Sequence, residues 1–268
     1  MAYEIIALDL DGTLTNSEKK ITPKTKEALF RIQEKGKKII LASGRPTPGV
    51  VPLAEELKLH EYGGYILSFN GAKIINYKTK EIIRNKVLPK SIIKEVYEEA
   101  VMQDTGILTY TDDVIISGNG IDKYVEIEAK INKIPVVEVE NFPTYVDFDV
   151  NKCLLTGEDN HMARVERIFG RRFEKEISIY RSEPFFVEIM PKNIDKADSL
   201  SKLLEKIGLT KEQLICCGDG FNDLSMIKYA GLGVAMANAQ TIVKEAADYI
   251  TKSNNEDGIA YVVEQFME

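Results

Sequence analysis

The chain has 268 residues, enough for one large domain or two smaller ones with ample core, and its 44% hydrophobic and 29% charged residues are ordinary for a globular protein. A net charge of −7 and a pI near 5.2 argue against a nucleic-acid partner, and no apolar run approaches the roughly 20 residues that span a bilayer. Cys153, Cys216 and Cys217 offer neither zinc spacing nor a disulfide framework, and an acidic motif by position 9 leaves no room for a signal peptide, so a reduced, cytoplasmic setting is expected.

Ile5-Ile6-Ala7-Leu8 is an apolar run short enough for one buried strand of a parallel sheet. Gly12 breaks it, so Asp9 and Asp11 of Asp9-Leu10-Asp11-Gly12-Thr13 fall at its C-terminal end, where open α/β sheets bind ligands. Acids two residues apart on an extended segment can converge on one small group. That suits a hard cation, with one carboxylate free to attack phosphorus. The alternative is an Asp-Gly turn with both acids merely solvated.

Thr22-Pro23 reads as an N-cap and a first helical residue, opening a helix over 24–35 that Gly36 ends. A second apolar strand, 38–42, stops at Ser43-Gly44-Arg45-Pro46. Ser43 there is placed either to meet a phosphoryl oxygen or to cap a helix. The third strand, 65–69, ends at Asn70-Gly71, a hairpin signal, with further strands over 73–77 and 81–87. This is βαβ alternation.

The pattern changes at Pro89. Helices over 91–103, 121–131 and 160–169 mix with short strands near 107–110, 114–117, 136–139, 152–156, 177–181 and 185–190. This α+β stretch is expected to be an inserted domain, 87–190, between the two parts, 1–86 and 191–268, of an α/β domain. Alternation resumes with a helix over 195–207 ended by Gly208, then a capping box at Thr210 and Gln213. The strand Leu214-Ile215-Cys216-Cys217 follows, ending at Gly218-Asp219-Gly220-Phe221-Asn222-Asp223, with last strands near 232–235 and 249–251. A second acidic cluster therefore stands at a second strand terminus, beside glycines that let backbone approach a ligand.

The ordered set Asp9-x-Asp11-Gly12-Thr13, Ser43-Gly44-Arg45, Lys196 and Gly218-Asp219-x-x-Asn222-Asp223 resembles the haloacid dehalogenase (HAD) superfamily of phosphohydrolases, and within it the Cof-like sugar phosphatases. Phe69-Asn70-Gly71-Ala72, the 231–239 segment ending Asn238-Ala239, and the 251–258 segment with Asn254-Asn255-Glu256-Asp257-Gly258 add to the likeness. One departure is Asp195-Lys196-Ala197, where the family has a small residue, Lys and Gly, so Lys192 is the competing candidate.

The resemblance implies a Rossmann-like parallel sheet ordered 3-2-1-4-5 carrying an α+β cap that sets substrate specificity. It implies Mg²⁺ held by Asp9, the Asp11 backbone carbonyl and Asp219. Asp9 is then the nucleophile and Asp11 the acid and base. Ser43, Gly44, Lys196 and Asn222 face the phosphoryl group, and Asp223 stands behind the metal or Lys196. Arg45 is expected in a structural ion pair, and Arg181, Glu188 and Tyr145 are offered as leaving-group readers. The expected substrate is a small phosphorylated metabolite such as a sugar phosphate, with no nucleic-acid or membrane partner and a monomer or weak homodimer as the assembly. A phosphomutase and a non-catalytic sugar-phosphate sensor are the alternatives.

Overall fold

The structure, a computed structural model, describes residues 2–268. The chain divides into two compact units, one running up to Arg84 and resuming as Asp195–Glu268, the other Asn85–Ile194, against the 87–190 expected from the sequence.

In the first unit eight strands form one sheet, ordered Tyr249–Ile250, Leu232–Ala235, Leu214–Gly218, Ile5–Leu8, Lys38–Ala42, Tyr65–Ser68, Lys73–Asn76, Ile82–Asn85. The first six are parallel, and Lys73–Asn76 turns back antiparallel. Counted in chain order from Tyr65–Ser68, the parallel strands lie 3-2-1-4-5-6, one more than the five expected.

The continuous apolar runs are explained by burial on both faces. Side chains alternate along a strand. Ile6, Leu8, Leu41, Ile215 and Cys217 accordingly join the core layer under the helices Pro23–Glu34 and Gly258–Phe266, while Ile5, Ala7, Ile40, Leu214 and Cys216 join the layer under Lys196–Ile207. Cys216 and Cys217 therefore point to opposite layers, and all three cysteines are free and buried.

Helix ends follow local chemistry. Thr22 accepts from Thr25 N with Pro23 at the first turn, and Gly36 leaves that helix at φ +84°. Asp195 caps Lys196–Ile207 by accepting from Asp198 N at 3.0 Å, and Gly208 ends it in the left-handed region. The acid found where the family has a small residue is thus a helix cap, and it puts Lys196 in the first helical turn. Ser43, by contrast, caps nothing. The next helix, Thr47–Glu56, starts behind Pro46, and Ser43 Oγ accepts from Arg45 N at 3.1 Å inside a tight turn.

The second unit has its own sheet, ordered Ile177–Glu183, Phe186–Pro191, Cys153–Thr156, Gly106–Tyr110, Ile115–Ser117, Val136–Glu138. The helices Lys90–Met102 and Asp159–Phe173 close one core with Ile107, Ile116, Leu155, Val187 and Ile189. The second of these helices outruns the expected 160–169 because Met162, Val165, Phe169 and Phe173 carry the apolar stripe one turn further.

Candidate active site

Strand adjacency assembles the site. Ile5–Leu8 lies between Leu214–Gly218 and Lys38–Ala42, with Leu8 opposite both Cys217 and Leu41. The residues that follow those three strands, Asp9, Gly218-Asp219 and Ser43, therefore emerge together. Asp9 N donates to Cys217 O at 3.0 Å, and Ser43 N to Leu67 O at 2.8 Å.

Lys196 is fully enclosed, and its ammonium donates to Asp9 Oδ1 at 2.8 Å, Asp223 Oδ1 at 2.6 Å and Ala42 O at 2.8 Å. All three of its protons are thereby used. Asp223 is equally committed, since its Oδ2 accepts from Asp219 N and Gly220 N at 3.0 and 2.9 Å. Asp219 is oriented by Thr13 Oγ1, which donates to its Oδ1 at 2.8 Å. Gly12 packs against it so closely that a Cβ would lie 2.4 Å from Asp219 Oδ2, and its φ of +86° also favours glycine.

Asp11 turns its carboxylate the other way. Arg45 grips both oxygens, Nε to Oδ2 at 2.8 Å and Nη2 to Oδ1 at 2.6 Å, and Lys19 Nζ adds a third contact at 2.7 Å. Asn222 Nδ2 donates to Asn70 Oδ1 at 3.2 Å. Asn70 holds φ +53°, with its N donating to Ser43 O, and a Cβ on Gly44 would lie 3.2 Å from the Asn70 amide, a tight approach.

The electrostatics set the two aspartates of the motif apart. Burial, then the neighbouring Asp223 charge, push the Asp9 carboxyl well above the ordinary range despite Lys196. Burial also pushes Asp219 up, to about 6. For Asp11 burial is outweighed by Arg45 and then Lys19, which hold it below the ordinary range. Burial likewise works against the Lys196 ammonium, but Asp223 and Asp9 outweigh it and keep it charged.

Asp9, Asp219 and Asp223 each offer an oxygen within 4.8 Å of the others. Three carboxylates against one ammonium leave excess negative charge in a nearly closed space, and every donor is a hard oxygen. This donor set fits a small divalent cation. Asp9 and Asp219 have the oxygens to give, whereas both Asp223 oxygens already hold Lys196 and the loop backbone.

The structure thus brings Asp9, Ser43, Lys196, Asp219 and Asp223 into one cluster, with Asn222 beside Asn70 and Asp11 on Arg45. Lys196 is the lysine at the cluster, and Lys192 makes none of the contacts described. Two contributors were quoted in the sequence reading without a role of their own: Thr13, whose part depends on Asp219 being opposite, and Asn70, named in a hairpin signal and in the Phe69–Ala72 likeness. In the second unit Arg181 pairs with Asp159 at 2.6 Å and Glu188 is buried against Tyr180 and Lys152, while Tyr145 is exposed.

A family model described as haloacid dehalogenase-like hydrolase matches residues 6–263, and the chain belongs to that family. It is an enzyme of the phosphatase class. Among solved structures, a haloacid dehalogenase-like hydrolase from Bacteroides thetaiotaomicron superposes with a TM-score of 0.96 at 51% identity, over 98% of this chain and 99% of that one. The HAD subclass IIB sugar phosphatase BT4131 superposes at 0.80 with 26% identity, over 98% of each chain. Among curated relatives, 5-amino-6-(5-phospho-D-ribitylamino)uracil phosphatase YcsE of Bacillus subtilis is 33% identical over 265 residues, 98% of this chain and 96% of that protein.

Proposed function

We propose that this protein is a Mg²⁺-dependent phosphatase of small phosphorylated metabolites, sugar phosphates foremost, working through an aspartyl phosphate on Asp9. The observation that carries the reading is the Asp9–Lys196–Asp223 cluster beside Asp219. It is a buried nucleophile held by a fixed cation at the edge of an oxygen-only site. Asp9, the Asp11 carbonyl and Asp219 would hold Mg²⁺, which when bound neutralises phosphoryl charge and draws the anionic ester to the nucleophile.

The chain's own residues do the rest. Lys196 fixes the Asp9 carboxylate, so one oxygen is aimed at phosphorus. Ser43, the Gly44 backbone and Asn222 are assigned to donate to phosphoryl oxygens. The Asp9 oxygen attacks phosphorus as the bond to the leaving oxygen breaks, and that oxygen takes a proton from Asp11. A water then attacks the phosphoryl group, losing its proton to Asp11 and freeing phosphate and Asp9. Between Arg45 and Lys19 the Asp11 carboxyl is an anion. It becomes the acid by taking a proton from solvent once the incoming phosphoryl charge has drawn those cations away.

The Asn85–Ile194 unit is assigned the reading of the leaving group, supported by its independent core. The names of the two relatives support a phosphate ester of a sugar or a ribityl compound as the substrate class. Among the described residues no helix is long and apolar enough to cross a membrane, and a cytoplasmic setting is supported by three free, buried cysteines.

Asp9→Asn and Asp11→Asn test the assignment. A positioned acid is worth about 10²–10⁴-fold when the leaving group is an alkoxide, and little when it is acetate. Asp11→Asn mixed with acetyl phosphate and Mg²⁺ is expected to gain one phosphoryl group by intact mass, and to lose it when Asp9 is also replaced. Unmodified mass together with full sugar-phosphate turnover refutes the roles given to Asp11.

A further inference from the structure

The turn that carries Asp11 and Thr13 is held from a distant part of the chain. Asn238, just past the strand Leu232–Ala235, donates from Nδ2 to Gly12 O at 2.8 Å. Its Oδ1 accepts from Asn254 N at 3.0 Å, and Asn254 Nδ2 donates to Thr15 O at 2.8 Å. Asn255 exchanges two hydrogen bonds with Ser17, and Thr22 Oγ1 donates to Asp257. Positions 12, 15, 17 and 22 are thus each tied to Asn238 or to the 254–257 turn.

That turn is itself braced. Thr251 Oγ1 donates to Gly258 O at 2.9 Å, Gly258 N donates to Ser253 O at 3.1 Å, and Asp257 sits at φ +59°. A Cβ on Gly258 would lie 2.3 Å from Lys252 O, so the turn closes only with glycine there. A rigid brace holding a loop at four points suits the geometry the chemistry needs, because the Gly12 peptide lies between Asp11 and Thr13.

We propose that Asn238 and Asn254 are positioning residues for Asp11. By fixing the Gly12 and Thr15 carbonyls they set where the Asp11 carboxyl stands relative to the leaving oxygen, without touching substrate. This rests on the acid and base role proposed for Asp11. A misplacement of about 1 Å in a reacting group can lower a rate by about 10²-fold. The loss falls mainly on reactions that need the Asp11 proton.

The decisive variant is Asn238→Asp, nearly isosteric, which keeps the acceptor for Asn254 N and removes the donor to Gly12 O. Asn254→Ala, which removes only the donor to Thr15 O, is the second. Both are assayed for turnover of a sugar phosphate that the parent hydrolyses and, by intact mass over a single turnover, for phosphorylation of Asp9 by acetyl phosphate, alongside hydrogen exchange of the peptide covering 10–18 with Mg²⁺ present. We expect kcat on the sugar phosphate to fall about 10–100-fold with KM nearly unchanged. The rate at which acetyl phosphate phosphorylates Asp9 should stay within about threefold, since that step needs no proton from Asp11, and exchange at 10–18 should quicken. Parent-like kcat, parent-like exchange, or a loss in phosphorylation by acetyl phosphate equal to the loss in sugar-phosphate turnover overturns the proposal. If Asp11→Asn itself is impaired in phosphorylation by acetyl phosphate as much as in sugar-phosphate turnover, the acid role of Asp11 is what has failed. The exchange data then still decide whether the loop is held by Asn238 and Asn254.

Discussion

Lys196 is a buried cation whose whole hydrogen-bonding capacity is spent on Asp9, Asp223 and one backbone carbonyl. Removing one partner of such a cluster leaves the others charged and desolvated, at a loss of about 3–5 kcal/mol. Lys196→Met should therefore unfold at lower urea by about that amount and be inactive, because Asp9, the proposed nucleophile, is no longer held. A variant with parent stability would show that the cluster is solvated in solution. Gly12 is constrained by space instead of charge. Gly12→Ala forces a side chain onto Asp219 at a left-handed backbone position. The expected result is weaker divalent-cation binding by calorimetry, with a stability loss of about 1–3 kcal/mol.

Among elements, the hairpin joining Tyr65–Ser68 to Lys73–Asn76 runs through three consecutive residues at positive φ. Phe69 and Asn70 both hold positive φ, and Gly71, at φ +103°, would put a Cβ 2.3 Å from Ser199 Oγ. The hairpin is held there because Asn70 N donates to Ser43 O and Ser199 Oγ donates to Gly71 O. It thereby locks the Ser43 turn against the helix that carries Lys196. Gly71→Ala is expected to destabilise by about 1–3 kcal/mol in urea and to lower kcat, since helix and turn shift together. Unchanged kcat in a destabilised variant would separate the hairpin from the chemistry.

For the whole molecule, crowded carboxylates tie stability to pH, and the proposed Mg²⁺ would tie it to divalent cations as well. The Asp219 carboxyl titrates near 6 in the folded chain, above its ordinary value. The folded state therefore holds that proton over a range in which the unfolded state has lost it. The stabilisation is complete at pH below the ordinary carboxylate value and is lost as pH rises through about 6. Asp9, shifted in the same direction, adds to the effect. In chelator, Tm should thus drop between about pH 5 and pH 7, and Mg²⁺ should raise it more at pH 7 than at pH 5, where protons compete. A Tm in chelator that rises over this range contradicts the site electrostatics.

The two units also have separate cores. A chain with Asn85–Ile194 replaced by a short Gly/Ser linker should keep a cooperative transition and the far-UV spectrum of a parallel sheet with helices.

The sequence by itself determined the strands and helices and the places where they end, because those depend on near neighbours. Runs such as Ile5-Ile6-Ala7-Leu8 and Leu214-Ile215-Cys216-Cys217 can be satisfied only between two layers, and Thr22, Gly36, Asp195 and Gly208 act within a turn of themselves. It also placed acids and glycines at strand termini, and from these the resemblance to the family could be read. It did not mark the helices Thr47–Glu56 and Leu224–Tyr229 by their own limits, one holding an internal proline and the other being six residues long.

Only the tertiary structure decided which side chains meet across the chain. Thr13 reaches Asp219 over 206 residues, and Asn238 reaches Gly12 over 226. Arg45 closes on Asp11 across 34. Such pairings follow from the order and register of parallel strands, which are joined by crossovers of a dozen residues or more. Periodicity along the chain carries no record of that register.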